Sequence, residues 1–71
     1  MLELRPDCEA CGRDLPPESE DALICSFECT FCRQCGLAAC PNCGGNLQPR
    51  PIRPAEKLVR NPASQERRFR G

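Results

Sequence analysis

The sequence predicts a small domain stapled by metal, with little regular secondary structure, short strands and one short C-terminal helix. Three observations predict it. The chain has 71 residues, a length at which a hydrophobic core alone gives marginal stability. Apart from Ala and Cys, its apolar residues are thinly spread, among them Leu15, Leu23, Ile24, Phe27, Phe31, Leu37 and Leu47. Against that shortage stand eight cysteines in four close pairs, six of them between Cys25 and Cys43.

The elements follow in chain order. "LEL" (2–4) alternates and is expected to pair with a later strand. "RDLPPESED" (13–21) is a polar loop in which Pro16 and Pro17 exclude a helix. "ALIC" (22–25) is a short apolar run, read as a strand entering the metal-binding region. "GNLQPRPIRP" (45–54) alternates prolines and arginines and is expected to run extended, with one strand followed by a polyproline-like path. "PAEKLVRN" (54–61) reads as a helix near 54–60: Pro54 suits the first turn, Glu56 and Arg60 complement the dipole, and Pro62 stops it. "SQERRFRG" (64–71) is expected to fray or be disordered. The chain thus divides into a cysteine-rich head, 1–49, and a basic tail rich in Pro and Arg, 50–71.

The pairs are Cys8/Cys11, Cys25/Cys29, Cys32/Cys35 and Cys40/Cys43. A Cys-x-x-Cys turn places two thiolates where one tetrahedral ion can be gripped, and two such turns close a structural site. Eight cysteines make two closed sites for two Zn²⁺ ions. "CEACGR" and "CPNCGG" each place Gly after the second cysteine, where a left-handed residue lets backbone N–H groups turn toward the sulfurs. Sequential and interleaved pairings are both possible. Two features favour interleaving: "GLAA" is a tight link for two turns facing one ion, and Cys25-x3-Cys29 is looser than a knuckle. Site 1 is then Cys8, Cys11, Cys32 and Cys35, and site 2 is Cys25, Cys29, Cys40 and Cys43.

Over residues 8–44 this spacing resembles the RING finger and its cross-braced relatives. "ECTFCRQC…CPNC" has the texture of the RING stretch, with Cys29 where RING fingers usually carry His. The resemblance implies the architecture of a RING-like interleaved two-zinc finger. It does not extend to ubiquitin transfer: Glu9 and Ala10 stand where an aliphatic residue is usual, Trp is absent, and Gly44 replaces a basic residue. A resemblance over nearly the whole chain is carried by "MLELRPDCEACGRDLPP", "ICSFECTFCRQC", "CPNCGGNL" and "RPIRPAEKL…PAS". These segments resemble DUF1272, a family of small bacterial cysteine-rich proteins. The resemblance implies zinc binding and a cytoplasmic location, and brings no activity with it.

Other chemistries compete less well. "CTFCRQCGLAACP" is one residue off a ferredoxin-type run, which keeps an iron–sulfur or redox and metal-handling reading open, but residues 8–29 do not repeat it. Disulfides would need export, and "MLELRPDCEACG" lacks the basic and apolar regions of a signal peptide, so a reduced cytoplasmic chain is expected. No stretch approaches a membrane span. An enzyme is not expected: His and Tyr are absent, and a site with four protein ligands leaves no position for water.

Charge is divided. Residues 1–43 carry three arginines against eight carboxylates, a net charge of −5. Residues 44–71 carry seven cations against two carboxylates, a net charge of +5. The expected role is a monomeric protein-interaction module with structural zinc. The alternative is a nucleic-acid-associated protein using Arg50, Arg53, Lys57, Arg60, Arg67, Arg68 and Arg70. Against it, the head is acidic and Phe69 is the tail's one aromatic residue. On charge pattern alone the tail is expected instead to wrap the head, with Ile52, Leu58 and Val59 covering the core. Phe31 is expected inside that core, and Phe27 either there or on a docking surface.

Overall fold

A computed structural model describes residues 1–69. Its regular elements are β1 (Ala22–Ile24), β2 (Thr30–Cys32), a single 3₁₀ turn (Arg33–Cys35), β3 (Gln48–Pro49) and α1 (Ala55–Leu58). The three strands form one antiparallel sheet in the order β2-β1-β3. β1 forms within the apolar run read as a strand, and it takes the centre, with β2 following it after a short turn and β3 returning to its other side from residues 33–47. Leu23 faces Phe31 on one side and Pro49 on the other.

The sheet's outer edges are closed in different ways. Arg50 N–H donates to Ala22 O, so even-numbered residues of the β3 segment face β1. The outward positions are then 49 and 51, both proline. On the β2 edge, Glu9 N–H donates to Thr30 O at 2.9 Å, and Thr30 N–H donates to Glu9 Oε2 at 2.7 Å. One residue satisfies both backbone groups of another.

The core consists of Leu15, Ala22 and Phe31 with Cys8, Cys25, Cys32 and Cys40, and Leu37 and Leu47 pack on its margin. Phe31 is inside as expected, whereas Phe27 is 71% exposed. Two expectations are corrected. Leu2–Leu4 forms no strand: both edges of β1 are taken, and Leu4 turns left-handed (φ 57°) and is buried. Ile52 and Val59 do not cover the core; they are 50% and 83% exposed. Val59 follows α1, which spans four residues, about one turn, too short to present an apolar face, and Ile52 lies in the extended stretch before it.

Arginines tie the tail to the head. Arg50, 4% exposed, donates to Arg5 O (2.8 Å), Leu15 O (3.2 Å) and Pro16 O (2.8 Å). Among the described residues no carboxylate partners it, and burial holds its pKa below the ordinary guanidinium value. Arg53 joins Asn61 O to Leu2 O. Residues 64–69, expected to fray, lie instead along the head. Ser64 N–H donates to Glu3 O, and Arg68 and Phe69 N–H donate to Asp7. Arg70 and Gly71 lie outside the described residues.

Candidate metal centres

The first centre joins a knuckle from the N-terminal segment to the end of β2. In the knuckle, Cys8 N–H donates to Arg13 O and Gly12 N–H to Cys8 O, while Ala10 N–H points at Cys8 Sγ (3.4 Å). Gly12 takes φ +81°, a conformation that side chains disfavour. The other half runs off β2 into the 3₁₀ turn, which Gly36 closes at φ +61°. Glu9, between Cys8 and Cys11, fastens the halves together through Thr30, two residues before Cys32. Its carboxylate also pairs with Arg5 at 2.9 Å.

The four Sγ atoms of Cys8, Cys11, Cys32 and Cys35 lie within 4.8 Å of one another. Three separations are 3.7 Å (Cys8–Cys35), 3.6 Å (Cys11–Cys32) and 3.4 Å (Cys32–Cys35). A tetrahedral ion with metal–sulfur bonds of about 2.3 Å sets sulfurs about 3.8 Å apart. Disulfide sulfurs would be about 2.05 Å apart. In a cubane cluster each thiolate binds its own iron, which spreads the sulfurs beyond a single ion's tetrahedron. The donor set therefore fits one tetrahedral ion.

The second centre uses the same turn. Cys40 N–H donates to Gly45 O, Gly44 N–H to Cys40 O, and Gly45 N–H points at Cys43 Sγ (3.4 Å); Gly44 has φ +78°. Cys25, Cys40 and Cys43 have their Sγ atoms within 4.8 Å of one another. Cys29 stands outside that radius but against the group, where burial first, and then the Cys25 and Cys40 sulfurs, raise its pKa against the lowering effect of the Asn42 side chain. Its turn differs from the knuckles: Phe27 N–H points at Cys25 Sγ (3.3 Å), and Glu28 occupies the left-handed position, φ +67°. Pairs one and three thus meet at one centre. Pair four meets Cys25 at the other, with Cys29 alongside, in an interleaved order.

Thiol electrostatics match a cation-seeking group. Burial opposes the Cys8 thiolate, yet the N–H groups of Cys32, Ala10 and Cys11 hold its pKa at about 7. Cys25 is held at about 7 likewise, with the N–H groups of Phe27 and Cys29 outweighing burial. Cys35 is pushed far up, first by the Cys32 sulfur and then by burial. Crowded sulfurs cannot all ionise unaided; a divalent cation removes the conflict.

The sequence profile of DUF1272, described as a protein of unknown function, matches residues 1–53. The chain belongs to this family. An uncharacterized protein of Rhizobium meliloti (strain 1021) is 59% identical over 71 aligned residues, covering 94% of this chain and 84% of the relative. No solved structure matches. The matched span of this DUF1272 protein holds all eight cysteines, Glu9 and Arg50, while residues 64–69 lie beyond it.

The remaining site candidates of the DUF1272 chain are dispersed. Arg50, Arg53, Arg67 and Arg68, read from sequence as possible phosphate contacts, are spent on carbonyls and carboxylates. Lys57 and Arg60 stay exposed, and Arg70 falls outside the described residues. Three residues with central roles carried no sequence signal. Glu9 was one carboxylate of eight, Asp7 another, and Arg50 one cation of seven. For Arg50 a clue exists in retrospect: it alternates with Pro49 and Pro51, which leaves its N–H as that segment's inward donor.

Proposed function

We propose that this DUF1272 protein is a non-catalytic cytoplasmic module held by two structural Zn²⁺ ions, which presents its surface to a protein partner. The observation that carries the zinc reading is the first centre, where three sulfur separations of 3.4–3.7 Å lie close to the edge of a ZnS₄ tetrahedron. Cys8, Cys11, Cys32 and Cys35 would hold one ion, and Cys25, Cys29, Cys40 and Cys43 the other. Zinc supplies charge neutralisation and cross-linking there, and four protein ligands leave no place for a reacting water. No helix among the described residues is long and apolar enough to cross a membrane.

A protein partner suits the surface better than nucleic acid does. Lys57 and Arg60 are the two described tail cations that make no ion pair or hydrogen bond through their side chains, and two charges give little phosphate affinity. Phe27 stands exposed beside the second centre, with no role in the core. Native mass spectrometry with metal analysis tests the zinc reading: two zinc ions per chain are expected. Iron with acid-labile sulfide, or a fold that survives chelation unchanged, would overturn it. A nucleic-acid titration at low salt should show no binding; tight binding that weakens steeply as salt rises would favour the alternative.

A further inference from the structure

The segment that crosses the first knuckle is held as a bound peptide would be. Asp7 is fully buried, and its carboxylate accepts Arg68 N–H at 3.0 and 3.1 Å and Phe69 N–H at 2.9 Å. Among the described residues no other hydrogen bond reaches this carboxylate; Arg67 Nε stands 3.9 Å away. A desolvated carboxylate without these donors would be costly. Asp7 is therefore placed to receive two successive main-chain amides, which any peptide can offer.

Selectivity comes from the side chains around it. Arg67 donates to Asp14 Oδ1 (2.7 Å) and to Gly12 O (2.9 Å), and Arg68 donates to Glu3 Oε2 (3.1 Å). The Phe69 ring lies against Gly12 so closely that a Cβ there would come within 2.6 Å of it. The surface thus offers an amide acceptor, an acidic rim for two consecutive basic residues, and a side-chain-free seat for an aromatic ring.

We propose that this face of the head is a peptide-binding groove for segments of the form Arg-Arg-aromatic, and that residues 64–69 of the same chain occupy it in the free protein. The proposal rests on the interaction-module reading and names its partner's chemistry. The occupant is displaceable. Arg67 and Asp14 are exposed, and ion pairs of that kind contribute little net stability. A competing segment must overcome the tethered tail, whose effective concentration is on the order of millimolar. The tail then acts as a threshold that weak ligands fail to cross.

The test uses the full-length chain with Arg67→Ala, Arg68→Ala and Phe69→Ala, which removes every side-chain anchor of the resident segment and so frees the groove for competition, titrated with a fluorescent peptide of sequence SQERRF. The emptied variant should bind the peptide at least about tenfold more tightly than the unaltered chain. A peptide with Ala in place of both arginines and the phenylalanine, SQEAAA, should not bind. Adding Asp14→Ala should weaken binding severalfold, and adding Asp7→Asn should abolish it. Equal binding by the emptied and unaltered chains, or equal binding of SQERRF and SQEAAA, would overturn the groove. Metal content is read on the same samples. Two ions without peptide binding sinks the groove and leaves the zinc module standing, whereas missing metal sinks the module itself.

Discussion

The knuckles at Cys8–Arg13 and Cys40–Gly45 share one hydrogen-bonding scheme, yet their surroundings differ. The first is stitched to β2 by Glu9, flanked by residues that Arg50 ties to β3, and crossed by residues 64–69. The backbone hydrogen bonds of residues 40–45 close within their own turn. Apart from its cysteines, that second knuckle meets the body through Asn42 at Cys29, the flanking Leu37 and Leu47, and the strand that follows. One sequence device therefore serves two purposes. On the two-zinc reading, an ion in the first centre would complete a framework that protein contacts already define. In the second, the ion would be the main attachment of a flap.

The largest expected difference comes from ligand loss. Cys32→Ser should unfold the sheet, because each structural ion contributes on the order of 10 kcal/mol of folding energy. Cys43→Ser should leave the sheet's amide signals in place and lose only those of about residues 36–47. NMR spectra of the two variants decide this, and loss of the sheet in both would erase the contrast. Chelator should likewise remove the two ions in two steps, the second centre's first, as followed by native mass spectrometry.

Arg50→Met comes next. It strands the carbonyls of Arg5, Leu15 and Pro16, and should cost about 3 kcal/mol in denaturant unfolding. Because those carbonyls flank the first knuckle, ion retention should fall there more than at the second centre. A smaller contrast lies in the glycines. Gly12→Ala and Gly44→Ala both force a side chain into a left-handed residue, at about 1–2 kcal/mol each. At Gly12 the methyl also meets Phe69, whereas Gly44 faces open space. Gly12→Ala should cost more, and the excess should vanish in a Phe69→Ala background. The smallest effect is Glu28→Gly. It relieves the left-handed strain but gives up the bond from Glu3 N–H to Glu28 Oε1, and should raise stability by less than about 1 kcal/mol. A clear loss in thermal unfolding would show that the Glu3 bond dominates.

Cysteine spacing made the interleaved grouping legible, because a turn of two intervening residues has few geometries and "GLAA" is too short to fold pair three onto pair four. Strand β1 was legible from its apolar run, and α1 from Pro54, Glu56 and Pro62. What escaped depends on distant partners. Leu4 turns left-handed because β1 has no free edge to offer it. Glu9 and Asp7 look like surface charge until β2 and the tail arrive beside them. That the tail would wrap the head was legible from its charge, but a phosphate-binding alternative stayed open because composition counts charges and cannot say which carbonyl each arginine will meet.

Pro49 and Pro51 carry a consequence for how the protein coexists with its own copies. A small sheet with open edges invites strand addition, and through it ordered aggregation. Here β3 presents carbonyls but no N–H groups outward, and at Thr30 the β2 edge is occupied by Glu9. A second strand would find acceptors without donors on one side and a closed ladder on the other. If zinc holds the fold as proposed, each molecule spends part of its life incompletely loaded, and two prolines keep one flank of its sheet inert to other chains during that interval.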